Sequence, residues 1–171
     1  QIPALAQEGI CIVISPLIAL MKDQVQKLQE QGIKAMALTS GIPPQQLDTL
    51  LDNCIYGNYK FLYLSPERLQ QELVQQRIRQ MNVNLIAVDE AHCISHWGND
   101  FRPAYKNINI LRQLQPGINV VALTASATPK VVQDIMEFGN VQRGVLGIEG
   151  GDLNPMTSKE YGIDASEGVY I

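Results

Sequence analysis

Hydrophobic positions along the chain fall into two alternating rhythms. Ile10-Cys11-Ile12-Val13-Ile14 is an unbroken apolar run between Gly9 and Ser15-Pro16, the pattern of a strand buried on both faces. Leu17, Leu20, Met21, Val25 and Leu28 then recur at helical spacing, with Gln24, Lys27 and Gln31 on the opposite side and Gly32 as the stop. The alternation repeats. Ala35 to Leu38 predicts a second strand ending at Thr39-Ser40-Gly41, and Pro43-Pro44 opens a helix through Leu47, Leu50 and Leu51. Phe61 to Leu64 predicts a third strand, and Ser65-Pro66 reads as a helix cap with proline in the first turn. Leu69, Leu73 and Ile78 predict a helix over 69–80, and Leu85 to Val88 a fourth strand. Ile108, Leu111 and Leu114 mark a short helix, Gln115-Pro116-Gly117 a turn, and Val120 to Leu123 the last strand of the series. Strands alternating with helices predict an α/β fold, a mostly parallel sheet between two helical layers.

Composition narrows the class without changing this picture. At 171 residues with 46% hydrophobic and 18% charged side chains, the chain can bury an ordinary core and does not have the makeup of a disordered tail. The net charge is −4, so no global basic field advertises nucleic acid. Residues 1–137 carry 11 basic and 12 acidic side chains, and residues 138–171 carry 2 and 5. Any contact with a polyanion must therefore come from a local patch. Cys11, Cys54 and Cys93 lie far apart without metal-ligand spacing, which suits buried thiols in a reducing compartment and a cytoplasmic location. No apolar run is long enough to span a bilayer, so no membrane partner is expected.

Candidate chemistry gathers at residues 84–105. Asp89 and Glu90 stand where the fourth strand ends, and ligands of open α/β sheets bind beyond the carboxyl ends of the strands. An acidic pair there suits a hard cation such as Mg²⁺, with the second carboxylate free to orient a water. The bland alternative is a strand ending in solvated acids. After His92 follows a stretch with Trp97, Phe101, Arg102 and Tyr105, broken by Gly98 and Pro103. Aromatics interleaved with a guanidinium are the ingredients of a base-stacking platform for single strands.

Asp89-Glu90-Ala91-His92, followed by Cys-Ile-Ser-His-Trp-Gly-Asn-Asp-Phe-Arg-Pro, resembles motif II and the aromatic-rich loop of RecQ-type DNA helicases. Three further segments resemble motifs of that family in family order: Ser15-Pro16-Leu17-Ile18-Ala19-Leu20-Met21-Lys22-Asp23-Gln24-Val25, Ser65-Pro66-Glu67-Arg68-Leu69, and Thr124-Ala125-Ser126-Ala127-Thr128. The resemblance implies a RecA-like three-layer sheet, ATP with Mg²⁺ as cofactors, and single-stranded or partly duplex DNA as partner. It implies Asp89 as the Mg²⁺ carboxylate, Glu90 as the residue orienting the attacking water, and His92 with Ser126 as the link between nucleotide and DNA. It also implies Ser15, Arg68, Trp97, Phe101 and Arg102 along the DNA path. Taken alone, the Ser15 segment reads equally as a capped amphipathic helix, and the Ser65 segment as a surface cap.

The chain departs from the family pattern in places. It contains no Gly-x-x-x-x-Gly-Lys-Ser/Thr, the loop that cradles phosphates in such enzymes. Gln1-Ile2-Pro3-Ala4-Leu5 resembles the tail of the helix that follows that loop, so the chain reads as truncated, with its first strand and phosphate loop missing. The family's second motor domain and Cys-rich zinc module have no counterpart. His96, Asn99 and Ala104 stand where family members usually carry Gln, His and an acid.

From about Phe138 the pattern changes. Gly-Asn-Val-Gln-Arg-Gly-Val-Leu-Gly-Ile-Glu-Gly-Gly-Asp-Leu resembles the opening of a PDZ domain of HtrA/Deg-type serine proteases. That resemblance implies Leu146, Gly147 and Ile148 as a loop whose amides capture a peptide C-terminus. The alternative is an unstructured tail. The expected division is a partial motor domain over 1–136 and a PDZ-like segment over 137–171, as in a fusion of two truncated frames. Two functions compete: a fragment of an ATP-dependent DNA helicase, inactive as an isolated chain, or a non-catalytic fragment that binds single-stranded DNA or peptide C-termini.

Overall fold

The computed structural model describes residues 1–39, 41–95, 102–139, 151–153 and 168–170. Two compact units divide at Asn140/Val141, a few residues beyond the expected boundary. In the first unit a parallel five-stranded sheet has the order β2-β3-β1-β4-β5, with β1 Ile10–Ile14, β2 Ala35–Leu38, β3 Phe61–Leu64, β4 Val83–Val88 and β5 Val120–Ala122. The helices are α1 Ile2–Leu5, α2 Ile18–Glu30, α3 Pro44–Tyr56, α4 Pro66–Leu69, α5 Glu72–Gln80, α6 Ile110–Leu114 and α7 Pro129–Gly139, with 3₁₀ turns over Ala91–Ile94 and Pro103–Asn107. This is the parallel α/β architecture that the alternating pattern predicts.

Side chains alternate across the sheet, so each strand feeds two cores. Ile10, Ile12, Ile14, Leu62, Leu64, Ile86 and Val88 join the larger cluster with α3, α5 and α6 residues such as Leu51, Ile78 and Leu111. Cys11, Phe61 and Tyr63 join Ala4 of α1 and Met21, Val25 and Leu28 of α2 in the smaller one. Arg77 of α5 clamps α3 through Asp48 (2.6 Å) and Asp52 (3.2 Å).

Local chemistry sets the element ends. Gly32 closes α2 at φ +75°, with its N–H on Gln29 O and that of Ile33 on Leu28 O, a Schellman pair. Gly9 enters β1 at φ +100°, where a Cβ would lie 2.4 Å from Asn82 O, so only glycine fits. Ile10 pairs with Val83 but Cys11 with Leu85, which leaves Asn84 as an extra residue. Its amide donates to Ala4 O (3.0 Å) and Gln7 O (3.4 Å), tying the end of α1 to β4.

Two expectations shift. The helix over 69–80 is two pieces: Ser65 Oγ accepts from Arg68 N–H to cap the single turn Pro66–Leu69, and α5 starts afresh at Glu72. Pro129–Gly139, for which no element is expected, form α7 across the expected boundary at 136/137. In the second unit Gly151–Leu153 and Gly168–Tyr170 pair antiparallel. Among the described residues no helix is long and apolar enough to cross a membrane.

Candidate functional site

The parallel sheet brings its carboxyl ends to one edge, so residues following three different strands, β1, β4 and β5, become neighbours. Ile14 is in register with both Leu64 and Val88. Ser15 and Asp89 therefore emerge side by side. Ser15 Oγ donates to Asp89 Oδ2 at 3.1 Å, and Asp89 N–H donates to Ile14 O at 2.8 Å. Ser15 is only 2% exposed, so its hydroxyl is committed to the acid and, at 3.5 Å, to Leu17 N–H. From below, the phenol of Tyr105 donates to Asp89 O at 2.9 Å. Burial pushes that phenol's pKa far up, so Tyr105 remains a proton donor to the Asp89 carbonyl at all ordinary pH.

Beyond Asp89 the backbone turns sharply. Glu90 adopts φ +48°, ψ +45°, a left-handed conformation unfavourable for a side chain with Cβ. This reversal lets Ala91–Ile94 wind into a 3₁₀ turn under the strand ends. Leu123 N–H donates to Val88 O (2.8 Å) and Ala91 N–H to Leu123 O (2.9 Å), so β4 and β5 stay paired past their formal ends.

That pairing sets Thr124 against His92. Nδ1 of His92 is 3.0 Å from Thr124 Oγ1 and 3.3 Å from Glu90 Oε2. A carboxylate oxygen only accepts, and the Thr124 hydroxyl donates to Ser126 O at 3.1 Å. Both neighbours thus call for the hydrogen on Nδ1. Ser126 joins this chain through its backbone, its N–H lying 3.3 Å from Thr124 Oγ1. The hydroxyl that meets His92 is that of Thr124, which the sequence pattern did not single out from the three hydroxyls of its pentapeptide.

The other expected residues are placed as follows. Arg102 returns the chain to the site, its N–H on Cys93 O (3.1 Å) and its Nη1 3.4 Å from Pro16 O. Arg68 is 8% exposed, with Nε donating to Thr39 O at 3.0 Å and Nη1 to Gln71 Oε1 at 3.0 Å. It therefore holds the end of β2 rather than the acid pair. Trp97 and Phe101 lie outside the described residues, as do Leu146, Gly147 and Ile148. Ser15, Asp89, Glu90, His92, Thr124 and Ser126 form one linked cluster at the strand ends, and Arg102 reaches its edge at Pro16 O.

For a cation the cluster offers two adjacent carboxylates, with one Asp89 oxygen already held by Ser15. Among the described residues no group of three or more His, Cys, Asp or Glu could hold a metal alone. Such a donor set fits Mg²⁺, which is bound through one or two carboxylates and completes its octahedron with waters and substrate phosphates.

Residues 1–135 match the family model described as DEAD/DEAH box helicase. The chain is 49% identical over 144 residues to the ATP-dependent DNA helicase RecQ of Bacillus subtilis, covering 84% of this chain and 24% of that protein. It is 45% identical over 142 residues to the RecQ helicase of Haemophilus influenzae, covering 83% and 23%. Among solved structures, the helicase domain of Pyrococcus furiosus Hef superposes with a TM-score of 0.60 at 20% identity, over 83% of this chain and 30% of that one. That likeness shows the fold. The chain spans about a quarter of the length of the curated relatives it matches.

Proposed function

This chain belongs to the DEAD/DEAH box helicase family, and from that premise we propose that it is the nucleotide- and DNA-facing part of the first motor domain of a RecQ-type, ATP-dependent DNA helicase. The observation that carries this reading is the unbroken chain of contacts Ser15–Asp89–Glu90–His92–Thr124 at the carboxyl ends of β1, β4 and β5. It joins the acid pair to the segments that flank it on both sides.

Asp89 would hold Mg²⁺, which when bound with ATP screens phosphate charge and aligns the γ-phosphate. Ser15 fixes one Asp89 oxygen, and Tyr105 fixes its backbone from beneath, so the carboxylate is held in one orientation. Glu90, which follows Asp89 at the left-handed turn, would orient the attacking water. His92 donates from Nδ1 to Glu90 or Thr124, two acceptors within 3.3 Å of the same nitrogen. A small displacement of either partner shifts that hydrogen bond, a physical route from the carboxylate to the Thr124–Ser126 segment.

On the DNA side, Arg102 approaches Pro16 O at 3.4 Å, and with Trp97 and Phe101 it would contact a single strand. Ser15 and Arg68 would serve that path by shaping the loops after β1 and β2, since their polar atoms are bonded inside the fold. For residues 137–171 we propose a PDZ-like segment in which Leu146, Gly147 and Ile148 would meet a peptide C-terminus. Its support is the Gly-rich run of the sequence and the antiparallel pairing of two short strands.

The test is a chimera. Residues 1–135 of this chain replace the matching segment of the Bacillus subtilis helicase, and DNA-dependent ATP turnover and unwinding are measured. The chimera is expected to work, and Glu90→Gln to reduce its turnover at least a hundredfold. Turnover indifferent to Glu90→Gln would overturn the assignment.

A further inference from the structure

The 3₁₀ turn Ala91–Ile94 is gripped at both ends by a single downstream segment. At its front, Ala91 N–H donates to Leu123 O and His92 Nδ1 meets Thr124 Oγ1. At its back, Ser95 N–H donates to His92 O at 3.1 Å, and Ser95 Oγ donates to Asp134 Oδ2 at 2.5 Å across 39 residues. Ser95 is 1% exposed, and Asp134 is half-buried on α7. Between the two grips, Thr128 caps the start of α7 through Val131 N–H, and Val131 itself is buried. Both grips therefore come from one short run, Leu123 to Asp134.

What needs gripping is Glu90. Its left-handed backbone costs free energy and persists only where the surroundings over-determine it. The front grip fixes the residues just after Glu90. Without a back grip, the turn could unwind from Ser95 and release Cys93 N–H from Glu90 O, where it sits at 2.9 Å. A carboxylate is a stronger acceptor for a buried hydroxyl than any neutral group, which suits an acid at this place.

We propose that Asp134 is a positioning residue that acts through Ser95 to hold the 3₁₀ turn, and so keeps Glu90 in its left-handed conformation. Its functional meaning rests on Glu90 as the water-orienting carboxylate. The physical claim does not, and the two fail separately, because the Glu90→Gln chimera tests the first and amide exchange the second.

The experiment is site-resolved hydrogen exchange on the whole chain, comparing the parent with Asp134→Ala, Asp134→Asn and Ser95→Ala. Asp134→Ala and Ser95→Ala should each speed exchange of the Cys93 and Ser95 amides at least tenfold. The Ile12 and Leu62 amides, in the centre of the sheet, should stay within threefold of the parent. Asp134→Asn keeps an oxygen that accepts from Ser95 and should keep the turn's amides within threefold of the parent. A purely structural contribution of Asp134 would speed the turn and the sheet in step, and that result overturns the proposal. So does unchanged exchange at Cys93 and Ser95 in Asp134→Ala, or an Asn variant as fast as the Ala variant.

Discussion

His92 and Thr124 meet through Nδ1 and Oγ1 at 3.0 Å, although 32 residues separate them in sequence. The contact exists because Leu123 N–H continues the β4–β5 ladder onto Val88 O, which delivers the next side chain to the turn below β4. Thr124→Val removes the hydroxyl and keeps the shape, leaving the His92 donor with Glu90 alone. The expected loss is about 1 kcal/mol of unfolding free energy in a denaturant titration. Ser126 is exposed and contributes only backbone atoms, so Ser126→Ala should stay within about 0.5 kcal/mol of the parent. Equal losses in the two variants would show that the hydroxyl meeting His92 has been misassigned.

This pair also shows where sequence is legible and where it stops. Parallel strands buried on both faces are continuous apolar runs, which is why Ile10–Ile14 and Phe61–Leu64 read directly from the chain. The start of β4 at Val83 is masked because Asn84 is a bulge residue whose amide serves α1, so polarity there signals a bond and not a strand end. The break between α4 and α5 is hidden because Leu69 and Leu73 keep helical spacing across it, while Gln71 between them is extended. Thr124, Ser126 and Thr128 are chemically alike, and only the register of β5 against β4 decides which faces His92. The acid pair was legible because its place depends on one strand alone. The Ser95–Asp134 contact depends on the docking of α7, a helix that the sequence pattern did not mark.

The buried thiols make stability depend on alkaline pH. Burial pushes Cys54 to about 12 and Cys11 to about 11, against 9.0 for a free thiol. The folded state thus disfavours the thiolate, while the unfolded chain ionises freely above pH 9. The stabilisation is fully present below pH 9 and is lost progressively between pH 9 and about pH 11–12. Unfolding midpoints in denaturant should be flat from pH 7 to 8.5 and fall above pH 9, and Cys54→Ala should reduce that alkaline slope. At pH 8 a thiol reagent should label none of the three buried cysteines until the protein is unfolded. A slope unaltered in Cys54→Ala would assign the alkaline loss to other groups.

ATP turnover by these 171 residues should not exceed that of their own Glu90→Gln variant. The acid pair is in place, but the sequence contains no Gly-x-x-x-x-Gly-Lys-Ser/Thr to hold the phosphates. A carboxylate-bound cation cannot by itself place a γ-phosphate in line with a water, and positioning accounts for most of the acceleration in this chemistry. Phosphate release from ATP, with and without single-stranded DNA, measures it. DNA-stimulated release that vanishes in Glu90→Gln would mean that other residues of this chain cradle the nucleotide.

Binding to single-stranded DNA should be weak, with a shallow dependence on salt. Residues 1–137 carry 11 basic against 12 acidic side chains, and Arg68 and Arg77 already have partners inside the fold. With no basic excess, net attraction for phosphates is small, and each phosphate contact on a single strand adds only about 0.7 to the slope of log K against log salt. What remains is stacking on Trp97 and Phe101 beside the Arg102 guanidinium. Trp97→Ala and Arg102→Ala should each cost about 1–3 kcal/mol of binding if a base stacks there. Arg102 also approaches Pro16 O at 3.4 Å, so its loss could act by loosening the fold instead. Fluorescence anisotropy with a labelled oligonucleotide, run beside a thermal melt of each variant, separates the two. Weaker binding at an unchanged melting temperature places the strand on this surface. An early melt in Trp97→Ala, with Arg102→Ala binding like the parent, would make the segment a structural brace and remove DNA from it.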